Sequence, residues 1–284
     1  MPKRRIMMFL AINPVAFSLF GWEVRWYGII ITLAAFLGIE LANREAKKRG
    51  FPQDSLWDFA FWGLPFAFLG ARLYYVLFKW DYYAGHLSEI LAIHKGGIAL
   101  YGGLIFGAIA ALIYCIKNSY SCTLFVDILA PYFLLAQSIG RWGNFMNQEA
   151  HGDRIAKSVL EAWHLPAFVI EQMRIDGVYY QPTFLYESLL SFIGVIIILT
   201  LRRYAPLRLG DAVSFYLVWY GSSRFLVEGM RTDSLYVFST IRVSQALSLI
   251  FIALGILYAI YRYQHKEEYI YYKKVIHPMN LAVL

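Results

Sequence analysis

A regular stripe of polar residues interrupts the apolar segment WYGSSRFLVEGMR, residues 219–231. Tyr220, Arg224 and Glu228 follow at intervals of four, and Arg231 comes three residues later. In an α-helix this spacing places all four side chains on one face. Arg224 and Glu228 can pair and still leave part of the guanidinium fork free for a phosphate. The alternative interpretation is an inert salt bridge between helices.

A second cluster occupies residues 140–152, GRWGNFMNQEAHG. It combines a guanidinium, two amides and a carboxylate within ten residues: Arg141, Asn144, Asn147 and Glu149. Gly140 and Gly143 permit close approach of the backbone. The set predicts a donor-rich nest for a phosphate and glycerol hydroxyls. A helix C-terminus with its cap would explain the glycines and one asparagine, but not the whole set.

Two weaker clusters complete the candidates. In HKGGIALYGG, residues 94–103, His94 and Tyr101 could each handle protons, and two glycine pairs bracket Tyr101. Tyr101 could equally belong to the aromatic belt of a membrane interface. QPTFLYES, residues 181–188, begins an apolar segment and places Glu187 just inside it.

Signatures of metal, nucleotide and nucleophilic-serine sites are missing from the sequence. The histidines lack metal-ligand spacing such as HExxH, and no Walker, GxGxxG or GxSxG motif occurs. The two cysteines, Cys115 and Cys122, form no CxxC pair. We therefore expect no metal and no cofactor.

The composition indicates which elements hold these residues. Hydrophobic residues make up 59% of the 284 residues and charged residues only 16%, against typical soluble values of roughly 45–50% and about 25%. This excess of apolar residues excludes an ordinary soluble enzyme, a disordered chain and a nucleic-acid-binding domain. It predicts an all-α, polytopic membrane protein.

Seven apolar runs are long enough to cross a bilayer, which takes about 20 residues each. They lie near residues 25–43, 57–78, 97–117, 124–140, 183–201, 210–229 and 243–262. The fourth run is short and contains Asp127 and Pro131, so we expect it to be kinked or re-entrant. Buried charges within spans are costly, and pairing between helices is the alternative to function for each of them.

We interpret residues 1–284 as a single integral-membrane domain with three flanking regions. Residues 1–24 form an outer interfacial segment, residues 141–182 an outward-facing loop region and residues 263–284 a cytoplasmic tail. A signal peptide is the alternative for the N-terminus, because Lys3-Arg4-Arg5 precedes an apolar stretch.

Basic residues concentrate in segments that seven spans would place on one side. They are Arg44, Lys47, Lys48, Arg49, Arg202, Arg203, Arg208, Lys266, Lys273 and Lys274. The positive-inside rule makes that side the cytoplasm. The N-terminus and the 141–182 region then face outward, although the basic residues at positions 3–5 argue against this orientation.

Arginines and amides near one face of an apolar bundle suit an amphiphilic substrate with an anionic head and acyl tails, such as a phospholipid. Two other classes of function remain open. One is a transporter or flippase for a lipid or organic anion, which would predict an internal repeat that the sequence does not show. The other is a structural membrane subunit in which every buried charge pairs off.

The chain resembles bacterial prolipoprotein diacylglyceryl transferases over nearly its whole length. The motifs that carry the resemblance are RWYG (25–28), GARLYYVL (70–77), HKGGIALYGG, GRWGNFMNQE (140–149), QPTFLYES, YGSSRFLVEGMR (220–231) and QALS (245–248). The resemblance implies a seven-span enzyme of the bacterial inner membrane, with its active site toward the outer leaflet and its C-terminus in the cytoplasm. The implied reaction transfers the diacylglyceryl group of phosphatidylglycerol to the lipobox cysteine of a prolipoprotein. A thioether forms and glycerol phosphate leaves.

The resemblance also assigns roles to residues. The implied catalytic residues are Arg141, Arg224, Tyr101 and Glu149. The implied substrate-binding residues are Arg141, Asn144, Asn147, Tyr27, Tyr220, Glu228 and Arg231. Tyr101 stands where many relatives have a histidine, and a tyrosine with an ordinary pKa near 10 is a poor base at neutral pH. We hypothesise that Arg141 and Arg224 clamp the phosphate while Glu149 and Glu228 hold the arginines.

Overall fold

The computed structural model describes residues 12–92, 96–232, 236–237, 241–264 and 272. His94, the first eleven residues and most of the predicted cytoplasmic tail lie outside the described residues. The description of the N-terminal region therefore starts at Ile12.

The described chain is mostly helical. Its helices are α1 (Trp26–Lys48), α2 (Ser55–Phe78), α3 (Trp80–Tyr83), α4 (Leu100–Lys117), α5 (Cys122–Asn147), α6 (Lys157–Ala162), α7 (Ala167–Gln172), α8 (Thr183–Tyr204), α9 (Asp211–Glu228) and α10 (Val243–Gln264), with a 3₁₀ turn at Leu87–Glu89. Three short antiparallel pairs accompany them: β1 (Val15–Leu19) with β2 (Trp22–Arg25), β3 (Arg174–Ile175) with β4 (Val178–Tyr179), and β5 (Tyr236–Val237) with β6 (Ile241–Arg242).

Six of the described helices are long and apolar enough to cross a membrane: α1, α2, α4, α5, α8 and α10. The remaining predicted span, residues 210–229, corresponds to the 18-residue helix α9, which carries the stripe with Arg224 and Glu228 and is less apolar. The prediction of an all-α, polytopic membrane protein is confirmed, with seven as the approximate number of spans.

Two predicted boundaries are wrong. Helix α1 continues to Lys48, so most of the basic segment after the first span is helical, as Ala42 and Ala46 are fully buried and extend the packed face. Helix α5 runs for 26 residues through Pro131 to Asn147, whereas we expected a short run ending at residue 140. The first seven residues of the predicted loop region 141–182 therefore belong to a helix.

The chain divides into two compact units. Unit one comprises residues 1–38 and 130–269, and unit two comprises residues 39–129 and 270–284, as far as they are described. Unit one contains α6 to α10, the beginning of α1 and most of α5. Unit two contains α2 to α4.

Close helix packing in unit one depends on glycines at the contacts. A β-carbon at Gly194 of α8 would lie 2.6 Å from Nε1 of Trp219 of α9, and one at Gly221 of α9 would lie 2.8 Å from the carbonyl oxygen of Ser248 of α10. Leu134 and Ile198 are buried in the core between α5, α8 and α9. These contacts fix the helices that carry the polar residues of the predicted site.

Helices α2 and α4 pack against each other in unit two. A β-carbon at Gly102 would lie 2.4 Å from the carbonyl oxygen of Gly70, and one at Gly70 would lie 2.1 Å from Phe106. Gly102, directly after Tyr101, therefore allows the two helices to approach closely.

The β1–β2 hairpin precedes α1 and exposes apolar side chains at its tip. Phe20 is 94% exposed and Trp22 is 77% exposed. Aromatic side chains on an exposed hairpin suit a membrane interface. The interfacial position of residues 1–24 stays a prediction.

Candidate active site

A single carboxylate joins the two arginines that the sequence singled out. Nη2 of Arg141 lies 2.6 Å from Oε2 of Glu187. Nη1 of Arg224 lies 2.9 Å from Oε1 and 3.1 Å from Oε2 of the same carboxylate. Both guanidinium groups therefore come within reach of one small anion, and Glu187 fixes their separation.

A second carboxylate supports Arg224 from its own helix. Oε2 of Glu228 lies 2.7 Å from Nη2 of Arg224, one helical turn away. The side chains of Glu228 and Glu187 are only 2% and 6% exposed, against 15% for Arg224. The acids are thus enclosed behind the arginines, and breaking such a buried pair by removing one partner is strongly destabilising.

Three helices bring this cluster together. Arg141 lies on α5, Glu187 on the first turns of α8, and Arg224 with Glu228 on α9. The start of α8 is held in place because the Thr183 hydroxyl donates a hydrogen bond to the carbonyl oxygen of Ala150. At the C-terminus of α9, Arg242 donates to the carbonyl oxygen of Glu228, which satisfies a helix-end carbonyl.

The amides and Glu149 form a hydrogen-bond chain next to Arg141. Nδ2 of Asn144 donates to Oε1 of Glu149 at 2.9 Å, and Nδ2 of Asn147 reaches the same oxygen at 3.4 Å. Oδ1 of Asn144 lies 3.4 Å from Nη1 of Arg141. Glu149 contacts the amides and reaches Arg141 only through Asn144, whereas Glu187 is the acid that contacts Arg141 directly.

The end of α5 is stabilised by a buried glutamine from α7. Nε2 of Gln172 donates to the carbonyl oxygens of Phe145 and Met146 at 3.2 and 3.3 Å. Gln148 follows the helix with φ of 55°, in the left-handed conformation that often ends helices. These contacts end the helix just before Glu149 and let the chain turn back, so that Glu149 faces Asn144.

Tyr27 and Tyr220 lie in the same compact unit as the arginines. The ring of Tyr27 packs against α5 at Gly143, where a β-carbon would lie 2.9 Å from Cδ2 of the ring. The ring of Tyr220, one turn before Arg224, stacks on Tyr216 with 5.8 Å between centroids and 2° between planes.

Arg231 does not share the helical face of Arg224 and Glu228. Helix α9 ends at Glu228, and Arg231 forms an antiparallel bridge with Gly152. The four-residue spacing placed the first three residues correctly, but Arg231 lies three residues beyond the end of the helix. Because Arg231 lies beside Gly152, the segment after α9 contacts the last residue of the 140–152 cluster.

Tyr101 belongs to unit two, in the first turn of α4. The chain before α4 is organised by Arg72, which is 5% exposed. Arg72 donates to the carbonyl oxygens of Glu89, Ile90, Gly96 and Gly97 at 2.7 to 2.8 Å. All four partners are backbone groups, so this arginine fastens the chain that leads into α4.

The sequence interpretation missed three residues of the site. Glu187 was recognised only as a charge inside the fifth span, and Gln172 and Arg242 gave no signal. The position of Glu187 within QPTFLYES was the one available indication, since an acid there needs a basic partner. Nothing in the linear spacing shows that Glu187 meets both arginines.

The arrangement can hold a phosphodiester. Two positive and two negative charges balance within the Arg141, Arg224, Glu187 and Glu228 cluster. The Nε–H groups of both arginines have no acceptor among the described residues and remain available as donors. Each arginine side chain is partly exposed, at 20% for Arg141 and 15% for Arg224. Such donors could stabilise charge on a phosphate leaving group.

Comparison with known proteins identifies the family of this chain. The family model described as prolipoprotein diacylglyceryl transferase matches residues 14–261. The phosphatidylglycerol–prolipoprotein diacylglyceryl transferase of Lactobacillus delbrueckii subsp. bulgaricus is 51% identical over 256 residues, which cover 90% of this chain and 92% of that protein. Proteins of the same name from Staphylococcus carnosus and Bacillus velezensis are 51% and 50% identical over 251 residues, covering 88% of this chain and 90% and 92% of theirs. The chain therefore belongs to the prolipoprotein diacylglyceryl transferase family.

Proposed function

We propose that this chain transfers the diacylglyceryl group of phosphatidylglycerol to the thiol of a prolipoprotein lipobox cysteine, the first step of lipoprotein maturation. A bond forms between the sulfur and the glyceryl carbon that carries the phosphate ester. The carbon–oxygen bond to the phosphate breaks, its electron pair stays on the oxygen, and glycerol phosphate leaves. The thiol proton is released, so the reaction balances without a metal or other cofactor.

The observation that carries this proposal is the contact of both Arg141 and Arg224 with Glu187, at 2.6 to 3.1 Å. Two guanidinium groups held on one acid can bind one phosphate from two sides. Their remaining N–H groups would meet the oxygens on which charge builds as the carbon–oxygen bond breaks, which is where preorganised donors accelerate a reaction.

The nucleophile needs only modest activation. A free cysteine with a pKa near 8.5 is already a few per cent thiolate at pH 7. Holding the sulfur in line with the glyceryl carbon then supplies much of the rate. In this proposal Tyr101 and the amide–Glu149 chain are the groups that orient the thiol or accept its proton.

The remaining substrate contacts are proposed from position. Asn144, Asn147 and Tyr27 would contact the glycerol head, because they adjoin Arg141 on α5 or pack against that turn. Tyr220 would line the path of the lipid. Arg231 would act at the entrance, since it pairs with Gly152, the last residue of the 140–152 cluster.

We propose that the protein lies in the bacterial inner membrane with this site toward the outer leaflet and the C-terminus in the cytoplasm. The support is the distribution of basic residues. Lys47 and Lys48 lie in the last turn of α1, and Arg202 and Arg203 in the last turn of α8. Under the positive-inside rule, these helix ends face the cytoplasm. The C-terminal end of α5, where Asn144 lies, then faces the other side.

The test uses purified protein in detergent, phosphatidylglycerol and a synthetic lipobox peptide with one cysteine. Mass spectrometry should find a diacylglyceryl mass on the cysteine. Arg141→Ala should abolish this product. The matched control Arg44→Ala should keep it, because the side chain of Arg44 is 69% exposed and forms its ion pair with Glu40 of the same helix.

Three further variants separate the roles. Arg141→Lys keeps the charge but loses the two-pronged donor geometry, so its full activity would contradict the clamp. Tyr101→Phe with unchanged activity would exclude Tyr101 as proton acceptor. Glu149→Gln tests the amide–Glu149 chain in the same way. No thioether from folded wild-type protein would overturn the proposed reaction and favour lipid transport.

A further inference from the structure

The polar stripe of the candidate site continues along both helices beyond the arginines. Gln137 precedes Arg141 by one turn on α5, and Tyr216 precedes Tyr220 by one turn on α9. Nε2 of Gln137 donates a hydrogen bond to Oη of Tyr216 at 3.1 Å. A polar contact therefore joins α5 and α9 within their apolar stretches. It lies on the N-terminal side of Arg141 and Arg224, away from the C-terminal ends of the two helices.

Aromatic neighbours fix the position of the Tyr216 hydroxyl. Its ring stacks parallel to Tyr220, with 2° between planes. It also meets Phe133 edge to face at 6.3 Å between centroids. With the ring held on two sides and the oxygen bonded to Gln137, the phenol group has a defined direction.

This contact leaves hydrogen-bonding capacity unused. Because the Tyr216 oxygen accepts from Gln137, its own hydrogen is free to donate, and it has no acceptor among the described residues. Oε1 of Gln137 is buried and also lacks a partner in the part of the chain that the structure describes. A buried polar group without a partner costs free energy and calls for an explanation.

A neighbouring contact shows what a purely structural pair looks like. Ser138 and Ser188 join α5 to α8 reciprocally: each hydroxyl donates to the other residue's carbonyl oxygen at 2.9 Å. That contact is closed, because each hydroxyl uses its hydrogen on the other helix. The Gln137–Tyr216 contact is open, with one donor remaining.

We propose that Tyr216, held by Gln137, donates this hydrogen bond to an ester carbonyl of the lipid donor. The inference rests on the proposed function. With the phosphate at Arg141 and Arg224, the glyceryl esters lie toward the acyl chains. One helical turn spans about 5.4 Å, so Gln137 lies about that distance along α5 from Arg141, toward the position of the glyceryl esters. An ester carbonyl only accepts hydrogen bonds, and the free group of Tyr216 is a donor.

The experiment compares two forms of phosphatidylglycerol with matched chains, one with ester-linked and one with ether-linked tails. The ether form keeps the head group and the reacting carbon but lacks the carbonyl oxygens. Transfer to the lipobox peptide is measured for wild type, Tyr216→Phe and Gln137→Leu. Tyr204→Phe is the control, because Tyr204 is 74% exposed at the end of α8.

Wild type and the control should prefer the ester lipid by roughly tenfold, the worth of one hydrogen bond. Tyr216→Phe keeps the stacked ring, so its rate with the ether lipid should match wild type while its preference disappears. Gln137→Leu should reduce the preference, because the hydroxyl loses its fixed direction.

Two results would overturn the inference and leave the reaction standing. One is a wild-type enzyme that uses both lipids equally well. The other is a Tyr216→Phe variant that is slowed equally with both lipids, which is the mark of a structural role. Absence of product from wild type with the ester lipid would overturn the proposed function itself, and with it this inference.

Discussion

Arginines inside the helices of the two units are held in different ways. In unit one, Arg141 and Arg224 contact carboxylates and keep N–H groups that have no acceptor among the described residues. In unit two, Arg72 donates to four backbone carbonyl oxygens and lies near the rings of Tyr75 and Tyr83. A charged residue inside a span can therefore serve binding or architecture, and its partners distinguish the two.

The largest expected effect is on catalysis, from Arg141→Gln. We expect activity to fall about 1,000-fold, or about 4 kcal/mol of transition-state stabilisation. The free energy of unfolding should change by only about 1 kcal/mol, because Glu187 keeps its contact with Arg224. Transfer rates measure the loss of activity, and thermal unfolding in detergent measures the change in stability. A large loss of thermal stability with unchanged specific activity would contradict this prediction.

Arg72→Met should show the opposite pattern. Four backbone carbonyl oxygens lose their donor, at about 1 kcal/mol each before relaxation. We expect the free energy of unfolding to fall by about 3 kcal/mol, measured by denaturation in detergent. Arg72→Lys should recover only part of the loss, since an ammonium has three donors on one nitrogen and cannot match the planar fork. Unchanged stability in Arg72→Met would show that the four bonds contribute little.

Two adjacent glycines whose carbonyl oxygens accept hydrogen bonds from Arg72 test how firmly its side chain is held. Gly96 and Gly97 both have positive φ, at 84° and 79°. A β-carbon at Gly97 would lie 2.6 Å from Nη1 of Arg72, whereas one at Gly96 meets nothing within 4 Å. Gly96→Ala should cost about 1 kcal/mol for left-handed backbone alone, and Gly97→Ala about 2 kcal/mol because the arginine must also move. Equal losses of thermal stability would mean that Arg72 adapts freely.

The smallest effect concerns an exposed ion pair in the loop region. Nζ of Lys157 lies 2.8 Å from Glu171; this hydrogen bond lowers the pKa of Glu171 and raises that of Lys157. The stabilisation is present above the ordinary pKa of Glu171, near 4.5, and is lost as the pH falls through its lowered value. For Lys157 it is lost as the pH rises through the raised pKa.

Because the pair is partly exposed, we expect a contribution of only about 0.5 kcal/mol. The free energies of unfolding of wild type and Lys157→Met should therefore differ by this amount at pH 7 and converge as the pH falls through the lowered pKa of Glu171. A loss as large as that of Arg72→Met would remove the distinction between exposed and buried contacts.

Local patterns predicted much of the molecule. The apolar runs located all seven long helices of the described chain, because a membrane span needs a long apolar segment. The four-residue spacing placed Arg224 and Glu228 together, at 2.7 Å, since neighbours on one helix follow from its period alone. Boundaries were less predictable: α1 and α5 extend beyond their apolar runs, because packing and capping contacts continue them.

The sequence by itself determined the class of protein, its helices, its family and the two arginine clusters. Only the tertiary structure decided which side chains meet across helices. Glu187 joins Arg141 and Arg224, Glu149 contacts amides instead, and Arg72 bonds backbone groups. The physical reason is that linear spacing specifies neighbours within one helix, whereas contacts between helices depend on the rotation and crossing of each helix, which close packing at residues such as Gly194 and Gly221 sets.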